Sequence, residues 1–327
     1  MDCVFGRRSG GGASGRLGRF LARDGSDGGS VGVDFERSHA ALVVGKRGAG
    51  KSHTLGVLAA ELAATDGVDP VVVDPMGSLA PADLPVSVPR VPARALPPRA
   101  WCGLLDLDPE SAAGALLWRA ASAAESLDGM RAFAADAAAA DAARRAVCNH
   151  LDMAAGWDLF GPPDGASGTD VTGPGARVVD CSGLAPAPLS AACHAVATAA
   201  FERSANGGPR PWLLVDEAAV PARGVAREAI RRLFTRGRHA DLSVVLATQR
   251  PGALPEVAAS QADLVVAHRL SSGADVAALE RARPAAFDGS LADRLPRRPG
   301  AALVVDDATE RVARVSVRSR TAADRCE

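Results

Sequence analysis

Short apolar runs alternate along this chain with stretches of helical period. Residues 41–44 are apolar without interruption and stop at Gly45, as in a strand buried on both faces. Directly after Lys51, the spacing of Leu55, Leu58, Ala59 and Leu62 predicts a helix. Residues 71–73 form a second buried run ending at Asp74 and Pro75, and residues 177–179, 212–215 and 243–247 give three more. Between the last two, Ala226, Ile230, Leu233 and Phe234 share one helical face. Residues 264–267 and 302–305 are further apolar runs. Arg314, Ser316 and Arg318 alternate with Val315 and Val317, which predicts a half-exposed edge strand. Strands alternating with helices predict an α/β chain with a mostly parallel central sheet flanked by helices.

The rest of the chain sets the expected boundaries. Residues 1–33 are rich in Gly, Ser and Arg and read as a flexible lead-in. Residues 34–320 form one domain, followed by a tail at 321–327. A Pro-rich loop covers residues 79–100, and residues 161–175 are a Gly/Pro/Asp loop. Between them, at approximately 108–160, lies an Ala-rich helical insertion in which Val147, Leu151 and Ala155 share a face.

Composition narrows the classes. The 37 basic and 38 acidic residues give a net charge of −1, so any contact with nucleic acid must come from a local patch. No apolar run approaches the ~20 residues of a membrane span, and no apolar stretch follows Arg7 and Arg8 as in a secretion signal. Six cysteines without a C-x-x-C pair predict free thiols in a reducing cytoplasm. With no tyrosine, eight Phe and four Trp, a stacking platform for single-stranded bases is not expected. Among the basic residues only Lys46 and Lys51 are lysines, so Lys51 marks a place where a compact ammonium resists replacement by guanidinium.

The sharpest motif is Gly45-Lys46-Arg47-Gly48-Ala49-Gly50-Lys51-Ser52, which satisfies G-x-x-x-x-G-K-[ST] between a predicted strand and a predicted helix. Gly45, Gly48, Ala49 and Gly50 let backbone N–H groups turn inward onto phosphate, and the helix N-terminus through His53 adds partial positive charge. Lys51 neutralises the β- and γ-phosphates of ATP, and the Ser52 hydroxyl ligates Mg2+. Trp212-Leu213-Leu214-Val215-Asp216-Glu217 is an apolar strand ending in two carboxylates. Beside such a loop, Asp216 is the second Mg2+ ligand and Glu217 the general base for the attacking water. The next strand runs into Thr248-Gln249-Arg250-Pro251, where Gln249 is placed to sense the γ-phosphate. Arg223, Arg227 and Arg231 are four apart and read as one solvated helix face. Arg236 and Arg238, past that helix, are the candidates for an arginine finger into a neighbouring subunit. Gly28-Gly29-Ser30-Val31-Gly32 matches the G-x-S-x-G hydrolase pattern, but no strand is predicted before it to form an elbow.

Residues 44–54, 72–77, 178–184, 213–218 and 236–251, in that order, resemble the HerA/FtsK-type motor ATPases, closest to the HerA branch. Val178-Val179-Asp180-Cys181-Ser182-Gly183-Leu184 is similar to the strand and turn before their acidic strand. Arg236-Gly237-Arg238 with Thr248-Gln249-Arg250-Pro251 resembles their arginine–sensor block, and residues 295–302 their closing turn and strand. The resemblance implies a RecA-like P-loop NTPase domain and a homo-oligomeric ring, such as a hexamer. It also implies duplex DNA as track and a nuclease or other protein as partner. By the same resemblance Lys51, Ser52, Asp216, Glu217, Gln249 and Arg238 carry the nucleotide chemistry. The lead-in is too short for the N-terminal β-barrel of the HerA branch. Two readings stay open: a DNA-translocating or DNA-processing ATPase, and a nucleotide-switched scaffold ATPase without a DNA track. Glu217 argues against a module that binds nucleotide without turnover.

Overall fold

The predicted apolar runs become the centre of one sheet in a computed structural model that describes residues 1–7, 11–79, 84–161, 175–207, 209–281 and 289–319. In chain order come β1 (Cys3–Phe5), β2 (Ser14–Leu21), β3 (Asp27–Asp34), β4 (Ala40–Val44), α1 (Lys51–Ala63), β5 (Val68–Asp74), β6 (Val86–Ser87) and β7 (Val91–Pro92). Then follow α2 (Pro98–Leu104), α3 (Ala112–Ala123), α4 (Leu127–Asp136), α5 (Asp141–Ala155) and β8 (Phe160–Gly161). The remainder holds β9 (Arg177–Asp180), α6 (Pro186–Ala205), β10 (Arg210–Val215), α7 (Ala226–Arg236), β11 (Ser243–Thr248), α8 (Glu256–Gln261), β12 (Leu264–Ala267), α9 (Gly273–Glu280), β13 (Ala301–Asp306) and β14 (Arg311–Val317).

The sheet order is β1-β3-β2-β14-β13-β12-β4-β11-β10-β5-β9-β6. From β12 to β6 every neighbouring pair is parallel, while β12, β13, β14, β2 and β3 pair antiparallel in turn. Successive side chains of the central strands enter two different cores, because a strand alternates faces. Leu42, Val44, Leu213, Val215, Val244 and Leu246 pack with α2 to α8 on one side. Ala41, Val43, Trp212, Leu214, Val245 and Ala247 pack with α1 and the first three strands on the other. Both faces are apolar, so these strands read as continuous hydrophobic runs.

Four expectations are corrected. The segment 1–33 is not a flexible lead-in: its described residues supply β1, β2 and most of β3, with Phe5, Leu17, Val31 and Val33 at most 1% exposed. Its glycines reflect tight packing, since a Cβ at Gly18 would collide with the Ser316 carbonyl. The Gly28–Gly32 pattern therefore sits inside β3, with no strand-to-helix elbow. β14 is not an edge, because β2 pairs with its outer side. The helical module begins earlier than 108, at Pro98 within the Pro-rich loop, where proline suits the first helical turn. Its base is closed by β7 and β8, paired through Val91 and Phe160. Arg223 does not share a helix face with Arg227, because Gly224 separates the short turn Pro221–Arg223 from α7. The tail 321–327, Cys326 and residues 162–174 of the predicted 161–175 loop lie outside the described residues.

The first strands are strapped to α1. The Arg318 guanidinium donates to Glu61 Oε1 at 2.6 Å and to the Arg16 carbonyl at 3.2 Å, and Glu61 Oε2 accepts from Arg16 N at 2.7 Å. Among the described residues, Cys3, Cys102, Cys148, Cys181 and Cys193 are free thiols, and burial pushes Cys193 up to about 12. No described helix is long and apolar enough to cross a membrane.

Leu17→Ala should lower the unfolding free energy by about 3 kcal/mol in a denaturant titration, the ordinary cost of truncating a buried leucine. An unchanged midpoint would restore the flexible lead-in.

Candidate nucleotide-binding site

The site forms at the carboxyl ends of β4, β10 and β11, which the parallel register brings to one edge of the sheet. Val44 aligns with Thr248 on one side and with Ala267 on the other, so the loop after β4 emerges between the tips of β11 and β12. The backbone anchors it there: Gly45 N donates to the Thr248 carbonyl at 3.3 Å and Lys46 N to the Arg269 carbonyl at 2.8 Å. Gly48 and Gly50 take positive φ of 74° and 123°, a region open to glycine at little cost. α1 starts at Lys51, and its first-turn N–H groups lack intrahelical partners.

The predicted side chains converge. Ser52 Oγ donates to Asp216 Oδ2 at 2.6 Å. Lys51 Nζ lies 3.7 Å from Glu217 Oε1 and 3.4 Å from the Lys46 carbonyl. Gln249 Nε2 donates to the same Glu217 Oε1 at 2.7 Å. Asp216 is fully buried, and burial raises its pKa against the lowering effect of the Ser52 hydroxyl. Glu217 follows in the left-handed region at φ 43°, costly for a residue with a side chain and typical of functional sites. That backbone turn sends successive carboxylates to different tasks: Asp216 meets Ser52, while Glu217 faces Lys51 and Gln249. A hydroxyl and a carboxylate oxygen this close are the hard donors that suit Mg2+.

Other candidates are placed elsewhere. The His53 imidazole is engaged at its Nε2 with the Arg318 carbonyl, 2.7 Å away, so only its backbone N–H is left for a phosphate. Ala49 is buried, and its N–H donates to the Lys46 carbonyl at 3.2 Å. Arg236 and Arg238 lie before β11 whereas Gln249 follows it, so a six-residue strand of roughly 20 Å separates them. Arg238 is half exposed and pairs with Asp263 at 3.8 Å, and the two arginines do not reach this chain's own site.

Three residues beside the site were not assigned to it from the sequence. Arg223 and Arg250 line a cavity of about 230 Å³ together with Glu217, Thr248 and Gln249. Arg223 was disguised by its helix-like spacing to Arg227, although the intervening Gly224 was a visible break. The third, His268 at the tip of β12, is fully buried beneath the loop. Its Nδ1 lies 2.8 Å from the Ala301 carbonyl and its Nε2 2.9 Å from Thr54 Oγ1. Burial first, with the nearby Lys51 and His53 charges, pulls its pKa down to about 4 against the opposing Ala301 bond.

No family model and no curated protein sequence matches the chain. Solved structures do. VirB4 of Thermoanaerobacter pseudethanolicus superposes with a TM-score of 0.71 at 16% identity, over 95% of this chain and 98% of that one. The bacterial conjugative coupling protein TrwB gives 0.59 at 16% identity over 96% of each chain. The genome packaging NTPase B204 from Sulfolobus turreted icosahedral virus 2, in complex with sulfate, gives 0.50 at 14% identity over 86% and 97%.

His268 gives the site a pH signature. The folded pKa lies below the unfolded value near 6.5, so the unfolded chain takes up the proton first. This share of stability is complete above pH 6.5 and is lost as pH falls toward 4. Between pH 7 and pH 5 the wild type should lose about 2 kcal/mol from this group in denaturant titrations. His268→Asn should flatten that slope; an equal slope in both proteins would contradict the assignment. The loop after β4, Asp216 and Glu217 after β10 and Gln249 after β11 thus lie at one edge of a RecA-like P-loop NTPase fold, similar to that of VirB4, TrwB and B204.

Proposed function

We propose that the chain binds and hydrolyses ATP as a homo-oligomeric, ring-forming motor of the HerA/FtsK type that moves or processes duplex DNA. The observation that carries the ATPase reading is the pairing of Ser52 with Asp216 at 2.6 Å while Glu217 stands 3.7 Å from Lys51. One edge of the sheet thereby gathers an ammonium suited to phosphate, two hard oxygen donors and a separate carboxylate. The motor reading is supported by the likeness to VirB4 and TrwB over nearly the full length of both chains.

Each residue then has a task. The loop N–H groups cradle the phosphates, and Lys51 leaves Glu217 and the Lys46 carbonyl for the β- and γ-phosphate oxygens. Ser52 and Asp216 would hold Mg2+, which would supply neutralisation of phosphate charge. Glu217, relieved of Lys51, orients the attacking water and accepts its proton. Gln249, which donates to Glu217, would exchange that bond for one to the γ-phosphate. Arg223 and Arg250 add positive charge beside the carboxylate. Arg236 and Arg238, too far to act in their own subunit, serve a neighbouring subunit's nucleotide, with Arg238 released from Asp263. The free cysteines fit a cytoplasmic protein.

The test is ATP turnover by the purified protein with and without duplex DNA, at saturating ATP and Mg2+. Lys51→Ala should abolish nucleotide binding. Glu217→Gln should retain binding and lose at least about a hundredfold in kcat, the scale of a general base. Chelation of Mg2+ should remove turnover in the wild type. Stimulation by duplex DNA, with affinity falling steeply in salt, is the outcome expected of a motor. Turnover indifferent to DNA would favour a nucleotide-switched scaffold, and unimpaired turnover in Glu217→Gln would sink the assignment of the base.

A further inference from the structure

The inner wall of the phosphate loop is an imidazole. A Cβ on Gly45 would come within 2.7 Å of His268 Cβ, and one on Gly50 within 3.0 Å of His268 Cε1, so the ring fills the space that these glycines leave. The outer side is different: a Cβ on Gly48 would meet nothing within 4 Å. His268 is therefore the nearest side chain beneath the curve of the loop at both glycines.

That side chain is held at both ring nitrogens. The Ala301 carbonyl can only accept, so Nδ1 carries the proton and donates to it. Nε2 is then the acceptor for the Thr54 hydroxyl, which belongs to the second turn of α1 and is itself fully buried. The backbone on either side of the ring is pinned as well. His268 N donates to the Val44 carbonyl at 2.7 Å, and the Arg269 carbonyl accepts from Lys46 N at 2.8 Å. Across the ring, Gly300 N donates to the Ala49 carbonyl at 3.3 Å. Strand β4, the loop, α1 and the start of β13 thus meet at this imidazole.

We infer that His268 is a positioning residue for nucleotide binding, a wedge that sets the phosphate loop in its binding curvature before any ligand arrives. The inference rests on the nucleotide-binding reading above. A loop preset in this way loses less freedom when the phosphates bind, so its effect falls on affinity. Its hydrogen bonds go to Thr54, Ala301 and Val44 and not to Asp216, Glu217 or Gln249, which follow β10 and β11, so the chemical step is left alone.

The test compares wild type, His268→Ala, His268→Gln and Thr54→Val. Affinity for Mg2+–ATP is measured by equilibrium titration, turnover at saturating ATP, and the melting temperature without nucleotide. His268→Ala should weaken ATP affinity by about tenfold or more, with kcat at saturation within about threefold of wild type. Thr54→Val keeps the ring but removes the bond to Nε2, and should weaken affinity by about threefold, again without loss of kcat. His268→Gln retains polar reach toward Thr54 and should recover part of the affinity; should the alanine variant fail to fold, the glutamine and Thr54→Val variants carry the comparison. A lowered melting temperature with affinity unchanged within about twofold would make His268 an ordinary core residue and overturn the inference. A fall in kcat with unaltered affinity would overturn it too. If wild type itself binds no nucleotide, the nucleotide-binding reading fails and takes the inference with it.

Discussion

Parallel pairing of β4 with β11 and β12, and of β11 with β10, is the constraint on which the rest of the molecule depends. Parallel strands end at the same edge, so a loop leaving β4, two carboxylates leaving β10 and an amide leaving β11 meet without a long connection. A parallel sheet must also be covered on both faces, which is why α1 lies on one side and α6 and α7 on the other. The crossovers that satisfy this demand also fix where the arginines fall. α7 returns the chain to the opposite edge before β11 begins, and Arg236 and Arg238 go with it. A role for them in catalysis therefore depends on a second subunit, whereas Arg223, left behind in the turn before α7, stays beside Glu217.

The polar groups of the site satisfy one another. A buried ammonium and a buried carboxylate are costly unless paired, and Lys51 and Asp216 are both nearly inaccessible. Lys51 finds Glu217 and a loop carbonyl; Asp216 finds the Ser52 hydroxyl. In the proposed function each of these contacts involves a group assigned to phosphate or metal. The left-handed turn at Glu217 keeps the two carboxylates from being interchangeable.

The sequence made the central strands and the phosphate loop legible for one reason. Strands buried on both faces are unbroken apolar runs, and the loop's glycines, lysine and serine stand at fixed spacing because phosphate geometry requires it. Asp216, Glu217 and Gln249 were legible as the polar residues that end such runs. What stayed hidden was polar or glycine-rich for reasons of tertiary contact. β2 and β3 resemble a loop in composition, yet Gly18 lies against the Ser316 carbonyl, so small residues there signal crowding and not freedom. His268 follows the apolar run 264–267 and carries no local signal that Thr54 and Ala301 would close around it. Arg223 kept helical spacing to Arg227 across a glycine that stands before α7. β14 looked like an edge because the strand that covers it, β2, comes from the far end of the chain.

The central claim is that Ser52 and Asp216 act as one metal-binding unit beside the phosphate loop. It is tested most directly by a double-mutant cycle on the Mg2+ dependence of ATP affinity. Wild type, Ser52→Ala, Asp216→Asn and the double variant would each be titrated with ATP at high Mg2+ and with Mg2+ chelated. The account predicts that each single change removes most of the gain in affinity that Mg2+ confers, and that the double variant is scarcely worse than either. Strictly additive losses, or a Mg2+ effect that survives both changes, would contradict it.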